Sequence, residues 1–152
     1  MDETKINQVY LFSVEPTTPP TMRVNSGDEV NILVRGSLDD IKDIRDVPTP
    51  FTPACEGHPL APITGPIAIN GAEPGDVVSI DLLEITPQVN NGVTAIFRGF
   101  GALWKQFPDP KSLSCPVYDG KAWFGDQIPL PLTPNLGTIS TMPTKGYKPS
   151  YA

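Results

Sequence analysis

His58, the one histidine of the chain, follows Glu56 by two residues in the run Glu56-Gly57-His58-Pro59-Leu60-Ala61-Pro62-Ile63-Thr64-Gly65-Pro66-Ile67. Near neutral pH an imidazole can act as general base, general acid or metal ligand. In an extended segment Glu56 points to the same side as His58, so the two together can supply a metal ligand and a base. A catalytic zinc takes three protein ligands and a water. One imidazole and one carboxylate leave that set short, and further ligands have to come from elsewhere, another chain included. A lone histidine is more often structural or merely exposed, so the residues alone leave both readings open.

Two glycine-bearing stretches offer a second kind of chemistry. Thr64-Gly65-Pro66 and Gly99-Phe100-Gly101 can bring backbone N–H groups to a substrate oxygen, as an oxyanion hole does in acyl transfer. Tight β connections need the same glycines for geometry alone. Glu73 and Asp76 read as structural, because turn carboxylates commonly bond the N–H groups of their own turn. Cys55 and Cys115 are poor nucleophile candidates: no second histidine exists to activate a thiolate, and free cysteine is commonly buried. Trp104 and Trp123 read as core or interface residues.

The elements that must position these groups are mainly strands. Prolines exclude helix from the segment around His58, which becomes a rigid extended loop running into a short strand at Ile67–Ile69. Glu73-Pro74-Gly75-Asp76 predicts a tight turn and Val77 to Ile85 a β-branched strand after it. Asn25-Ser26-Gly27-Asp28 followed by Glu29 to Val34 repeats that turn-into-strand pattern, which suits a sandwich or barrel. Further strands are expected at Val9–Val14, Thr94–Arg98, Ala122–Phe124 and Ile139–Met142, and Thr21–Val24 reads as a short extended piece. Leu38 to Val47 is the one expected helix, with Ser37 as its N-cap, acidic residues in its first turns and Pro48 ending it. Leu103 to Phe107 reads as one helical turn. The expected fold is mainly β, sandwich- or barrel-like, with long Pro-rich loops and one or two short helices in a single domain over residues 1–152.

With 152 residues and 39% hydrophobic content the chain is long enough for a core. A formal net charge of −6 without any basic run argues against nucleic acid. The acidic cluster Asp39, Asp40, Asp43 and Asp46 reads as a solvated face. No apolar run approaches membrane-spanning length, no leader pattern opens the chain, and the two cysteines form no disulfide framework, so a cytoplasmic setting is expected. The 19 prolines are interleaved with β-patterned segments and read as loop stiffeners.

Three motifs in order carry a resemblance. Residues 58–60 (HPL), 64–67 (TGPI) and 71–76 (GAEPGD) before a hydrophobic strand resemble the signature of the acetamidase/formamidase family. Phe97-Arg98-Gly99-Phe100-Gly101-Ala102-Leu103 resembles the family's glycine-rich segment. Ile128 to Ile139 resembles its P-x-x-G-T-I-G segment, with Ser140 in place of the last glycine. The resemblance implies a β-rich, oligomeric hydrolase of short carboxamides such as formamide or acetamide, associated with a divalent metal, zinc being the expected one. It tips His58 and Glu56 toward catalysis and metal binding, and Thr64, Gly65, Gly99 and Gly101 toward substrate binding.

The chain departs from the family pattern in three places. Ala61-Pro62-Ile63 is inserted between HPL and TGPI, the upstream Asp- and Gly-rich stretch is only partly similar, and the family's later His-Gly-Gly-Asn segment is not present. The reading that results is one subunit of a split amide hydrolase. A second polypeptide supplies the C-terminal half, with further homo-oligomerisation compatible, and cyclic amides suit the motifs as well as acetamide does. The alternative is a non-catalytic β module that binds a small ligand or another protein.

Overall fold

The computed structural model describes residues 10–38, 41–50, 52–55, 62–125 and 127–146. They fall into two compact units, one drawn from Met1–Asp40, Glu56–Ser79 and Thr141–Ala152, the other from Ile41–Cys55 and Ile80–Ser140. Strands dominate both, as the β-rich pattern predicts, and the sheets among the described residues do not close into a barrel. No helix among these residues is long and apolar enough to cross a membrane.

The first unit holds two small sheets. Strand β1 (Tyr10–Leu11) pairs antiparallel with β3 (Ile63–Thr64), and β2 (Met22–Val24) pairs parallel with β4 (Ile67–Ile69). Val14 and Met22 are buried there. The β2–β4 ladder continues one step beyond the strands, since the Asn70 N–H donates to the Val24 carbonyl at 2.8 Å and its side-chain amide to Asn25 Oδ1 at 2.9 Å.

The turns that follow β2 and β4 are built alike. In one, the Asp28 N–H donates to the Asn25 carbonyl at 3.2 Å, and an Asp28 carboxylate oxygen accepts from the Asn25 N–H at 2.7 Å. In the other, the Asp76 N–H donates to the Glu73 carbonyl at 3.1 Å while the Asp76 carboxylate accepts from the Glu73 N–H at 2.8 Å. Gly27 at φ +89° and Gly75 at φ +107° take the position that requires the left-handed region. The structural role expected of Asp76 is therefore observed.

The strands expected after these turns do not form. Residues 29–34 contribute only an isolated bridge at Ile32, and residues 77–85 join no sheet. Their β-branched sequence suits a strand, but a strand also needs a neighbour for its backbone groups. Val77 is 98% exposed.

The second unit is an antiparallel meander of β5 (Asn91–Ile96), β6 (Lys111–Tyr118), β7 (Lys121–Phe124) and β8 (Ile128–Pro131), in that spatial order. A two-residue turn joins β6 to β7, with Asp119 at φ 52° and Gly120 at φ 66°. Both central residues at positive φ make it the I′ type whose twist matches a hairpin. Tyr118 stacks on Trp123 across the hairpin, with ring centroids 5.0 Å apart. Pro116 sits in β6 opposite Asn91, and β7 pairs only with Val117 and Tyr118, so no partner calls on the missing N–H. No residue of β5–β8 is fully buried; the buried residues among those described in this unit are Ile44, Val47, Pro50 and Pro110.

The helix expected over Leu38–Val47 is corrected. Only a 3₁₀ turn forms, at Ile44–Asp46. Its cap is Asp43 rather than Ser37: the Asp43 backbone is extended (φ −141°, ψ 121°) and its carboxylate accepts the Arg45 N–H at 2.9 Å. A local carboxylate–backbone bond of this kind competes with helix, and an extended residue 43 interrupts one. Asp39 and Asp40 lie outside the described residues. A second 3₁₀ turn spans Pro53–Cys55. The strand expected at Ile139–Met142 is absent, whereas β6 and β8, with prolines in their patterns, were not anticipated as strands.

Gly120 tests the hairpin. Placing a Cβ at φ 66° costs about 1–2 kcal/mol, so Gly120→Ala is expected to lower the urea midpoint. Asp119→Asn should leave it unchanged, since Asn-Gly favours the same turn.

Candidate functional site

His58 and Glu56, the residues expected to carry the chemistry, lie outside the described residues. The structure does describe how the chain downstream of them is held. Strand β3 ends at Thr64, the chain turns through Gly65 and a cis Gly65–Pro66 peptide, and β4 begins at Ile67. Gly65 is buried at φ +122°, a conformation that side chains rarely take. The Thr64 hydroxyl donates to the Leu33 carbonyl at 3.2 Å. The Pro66 carbonyl accepts both the Thr21 N–H, at 2.9 Å, and the Thr21 hydroxyl, at 3.1 Å. Thr64 thus spends its proton on the scaffold and keeps lone pairs to offer a ligand.

Gly99 and Gly101 lie just past the end of β5. Phe97 to Phe100 form a turn in which the Phe100 N–H donates to the Phe97 carbonyl at 3.4 Å. Gly99, at φ +66°, has a second reason to be glycine: a Cβ would stand 3.1 Å from Thr49 Cγ2. Gly101, at φ +92°, would meet nothing within 4 Å. The following residues make one helical turn, the Phe107 N–H donating to the Leu103 carbonyl at 3.1 Å, as the sequence suggests. Trp104 on this turn is exposed, not core, and the Lys105 ammonium lies 5.5 Å from its ring centroid. Thr64 and Gly65 are thus adjacent in one compact unit, and Gly99 and Gly101 stand together in the other. Trp123 is half-buried, its indole N–H without a partner among the described residues.

A shallow cleft of about 390 Å³ in the second unit is lined by Lys42, Asp43, Ile44, Arg45, Pro110, Lys111 and Ser112. Arg45 grips Asp43 through its side chain as well as its backbone: Nε donates to both carboxylate oxygens at 2.8 and 2.9 Å, and Nη2 adds a contact to Oδ2. These bonds, the side-chain ones foremost, hold the Asp43 carboxyl down at about 2 from an ordinary 3.8. The same pairing pushes Arg45 upward. Sequence reading placed Asp43 in a solvated acidic face; the signal missed was an arginine two residues on, within reach of an extended Asp. Among the described residues no three His, Cys, Asp or Glu side chains come together to hold a metal ion.

The architecture is that of a β-rich scaffold whose Pro- and Gly-built loops present backbone groups. Its sequence matches the model of the acetamidase/formamidase family over residues 7–150, and the chain belongs to that family. It is 31% identical to the acetamidase of Mycolicibacterium smegmatis, over 62% of this chain and 26% of that protein. It is likewise 31% identical to the formamidase of Methylophilus methylotrophus, over 62% of this chain and 24% of that one. The acetamidase structure from Bacillus halodurans superimposes with a TM-score of 0.69 at 21% identity, covering 94% of this chain and 48% of its own, a likeness of fold. A predicted acetamidase/formamidase from the thermophile Thermoanaerobacter tengcongensis gives 0.69 at 25% identity, over 92% of this chain and 45% of its own. The chain thus spans about a quarter of the length of the curated relatives it matches and just under half of the solved ones.

Two measurements check this geometry. Gly99→Ala should cost about 1–2 kcal/mol for its backbone alone, plus a steric share relieved in a Thr49→Ala background. Gly101→Ala should show no coupling to Thr49→Ala in the same denaturation cycle. Asp43 should titrate by carbon NMR near 2, and higher in Arg45→Gln, short of its ordinary 3.8 because the residue-45 N–H still bonds the carboxylate. Because its folded value is depressed, the stabilisation from Asp43 is present above its unfolded value and is lost as pH falls toward 2.

Proposed function

We propose that this chain is a subunit of an amide hydrolase that cleaves the C–N bond of small carboxamides, formamide- or acetamide-like or cyclic, releasing ammonia or an amine. The observation that carries the reading is the family match over residues 7–150, together with 31% identity to both an acetamidase and a formamidase. In this reading His58 is the base. It takes a proton from water as the water oxygen bonds to the amide carbonyl carbon; the C–N bond then breaks as the nitrogen is protonated, leaving a carboxylate. Glu56 is the second proton-handling group beside it. Backbone N–H groups near Thr64 and Gly65, or near Gly99 and Gly101, stabilise the oxyanion that develops on the carbonyl oxygen.

With a divalent metal bound, His58 and Glu56 would divide the roles of ligand and base between them, and the metal would polarise the carbonyl. It would need donors beyond those two, and the described residues bring no such cluster together. A second polypeptide supplying the rest of the family's length completes the site in this proposal. Supporting it is a four-stranded sheet that has no fully buried residue. We place the assembly in the cytoplasm.

The test is release of ammonia from formamide, acetamide and a cyclic amide by the complex purified through a mild tag from its own host. Turnover of at least one of these is expected, and His58→Ala should lower it by roughly 10²–10⁴ while the far-UV spectrum is unchanged. A complex inert to all three, or one as active without His58, would sink the reading.

A further inference from the structure

The two edges of the four-stranded sheet are treated differently. On β8, the Leu132 N–H donates to the Gly120 carbonyl at 3.0 Å, in phase with the β7–β8 register. Backbone direction alternates along a strand, so Ile128 and Leu130 face β7 with it, and Pro129 and Pro131 occupy the outward positions. Neither proline has an N–H to offer, which blunts that edge against any further strand.

The β5 edge has no such protection. The Val117 N–H donates to the Asn90 carbonyl at 2.8 Å, in phase with Asn91 opposite Pro116. Asn90 therefore faces β6, and Gly92, Thr94 and Ile96 follow it. Asn91, Val93 and Ala95 send their N–H and C=O groups away from the sheet. Among the described residues no backbone hydrogen bond reaches those groups, and β5 ends the strand order. The strand carries no charge and no proline. Val93 is 50% exposed, and in the run leading into β5 Ile80, Leu82 and Leu83 are 57%, 54% and 73% exposed. A long, neutral, apolar open edge is a template for pairing, and one left bare beside a blunted one is unusual.

We propose that β5 is a seat for strand addition: an extended segment of the second polypeptide pairs with Asn91, Val93 and Ala95 and extends the sheet to five strands shared between two chains. The occupant is the partner already proposed. The solved relatives match 94% and 92% of this chain with only 48% and 45% of their own, so the fold is accompanied there by as much polypeptide again. Main-chain pairing gives the affinity in this mode of recognition, and alternate side chains give the specificity. The inference rests on the proposed amide-hydrolase subunit having a partner, and it adds where that partner binds.

Hydrogen exchange read amide by amide, in the complex from the native host and in the isolated chain, tests it. The second polypeptide is identified by peptide sequencing as the remainder of the family's length. The Val93 and Ala95 amides should exchange at least 100-fold more slowly in the complex, whereas Thr94 and Ile96, which face β6, are slowed in both states. Val93→Pro removes an outward N–H and leaves the inward ladder intact; it should weaken partner binding at least tenfold while the β6–β7 amides stay protected. Val93→Lys should do the same without altering the backbone. A partner retained at full affinity by both variants, in a complex that still turns over amides, would overturn the β5 seat and leave the amide-hydrolase reading standing. Association of two copies of this chain through β5, lost in both variants, would replace the proposed occupant. Purification of this chain with neither partner nor amide turnover would overturn the amide-hydrolase reading and the β5 seat with it.

Discussion

An extended segment has to place its backbone N–H and C=O groups against another strand or against water, and that choice decides which parts of this chain become strands. Residues 77–85 have the composition of a strand, and Val77–Glu84 is largely exposed all the same. Residues 128–131 contain two prolines and do form β8, because the prolines fall where no donor is needed and β7 supplies the partner. Availability of a partner outweighs propensity in both cases.

Against that constraint, the turns are the most self-sufficient parts of the structure. Each of the Asn25–Asp28 and Glu73–Asp76 turns is closed by a carboxylate accepting from the first residue's N–H, and each takes its glycine at positive φ. All the groups involved lie within four residues, so the geometry needs nothing from the rest of the chain. The Asp43 cap works by the same local chemistry, and it keeps the acidic segment from continuing as a helix.

The segments that the family motifs mark are held from more than one side. Thr64, Gly65 and Pro66 are fixed by pairing of β3 and β4 with earlier strands and by bonds to Leu33 and Thr21. Gly99 lies against Thr49. Rigid loops on a strand scaffold can present backbone donors with little reorganisation, the property amide hydrolysis asks of an oxyanion site.

The sequence alone determined the β-rich class, both Gly-Asp turns, the extended piece at β2, the strand at β4, the helical turn at Leu103 and the family, because each rests on residues close together in the chain or on an ordered set of motifs. It marked His58 and Glu56 for chemistry, and they lie outside the described residues. Tertiary structure decided the rest. Leu38, Ile41 and Ile44 recur at a spacing that suits a helix, yet Asp43 finds a better partner in Arg45. In β6 the alternation of Leu113, Cys115 and Val117 is masked by Pro116, which is harmless only because its register with β5 and the short reach of β7 leave its missing N–H uncalled for. Whether a glycine such as Gly99 serves a turn, a contact or both depends on Thr49, fifty residues away in sequence. Such outcomes are long-range because a strand ladder or a close contact belongs to two segments, and either segment by itself specifies only half of it.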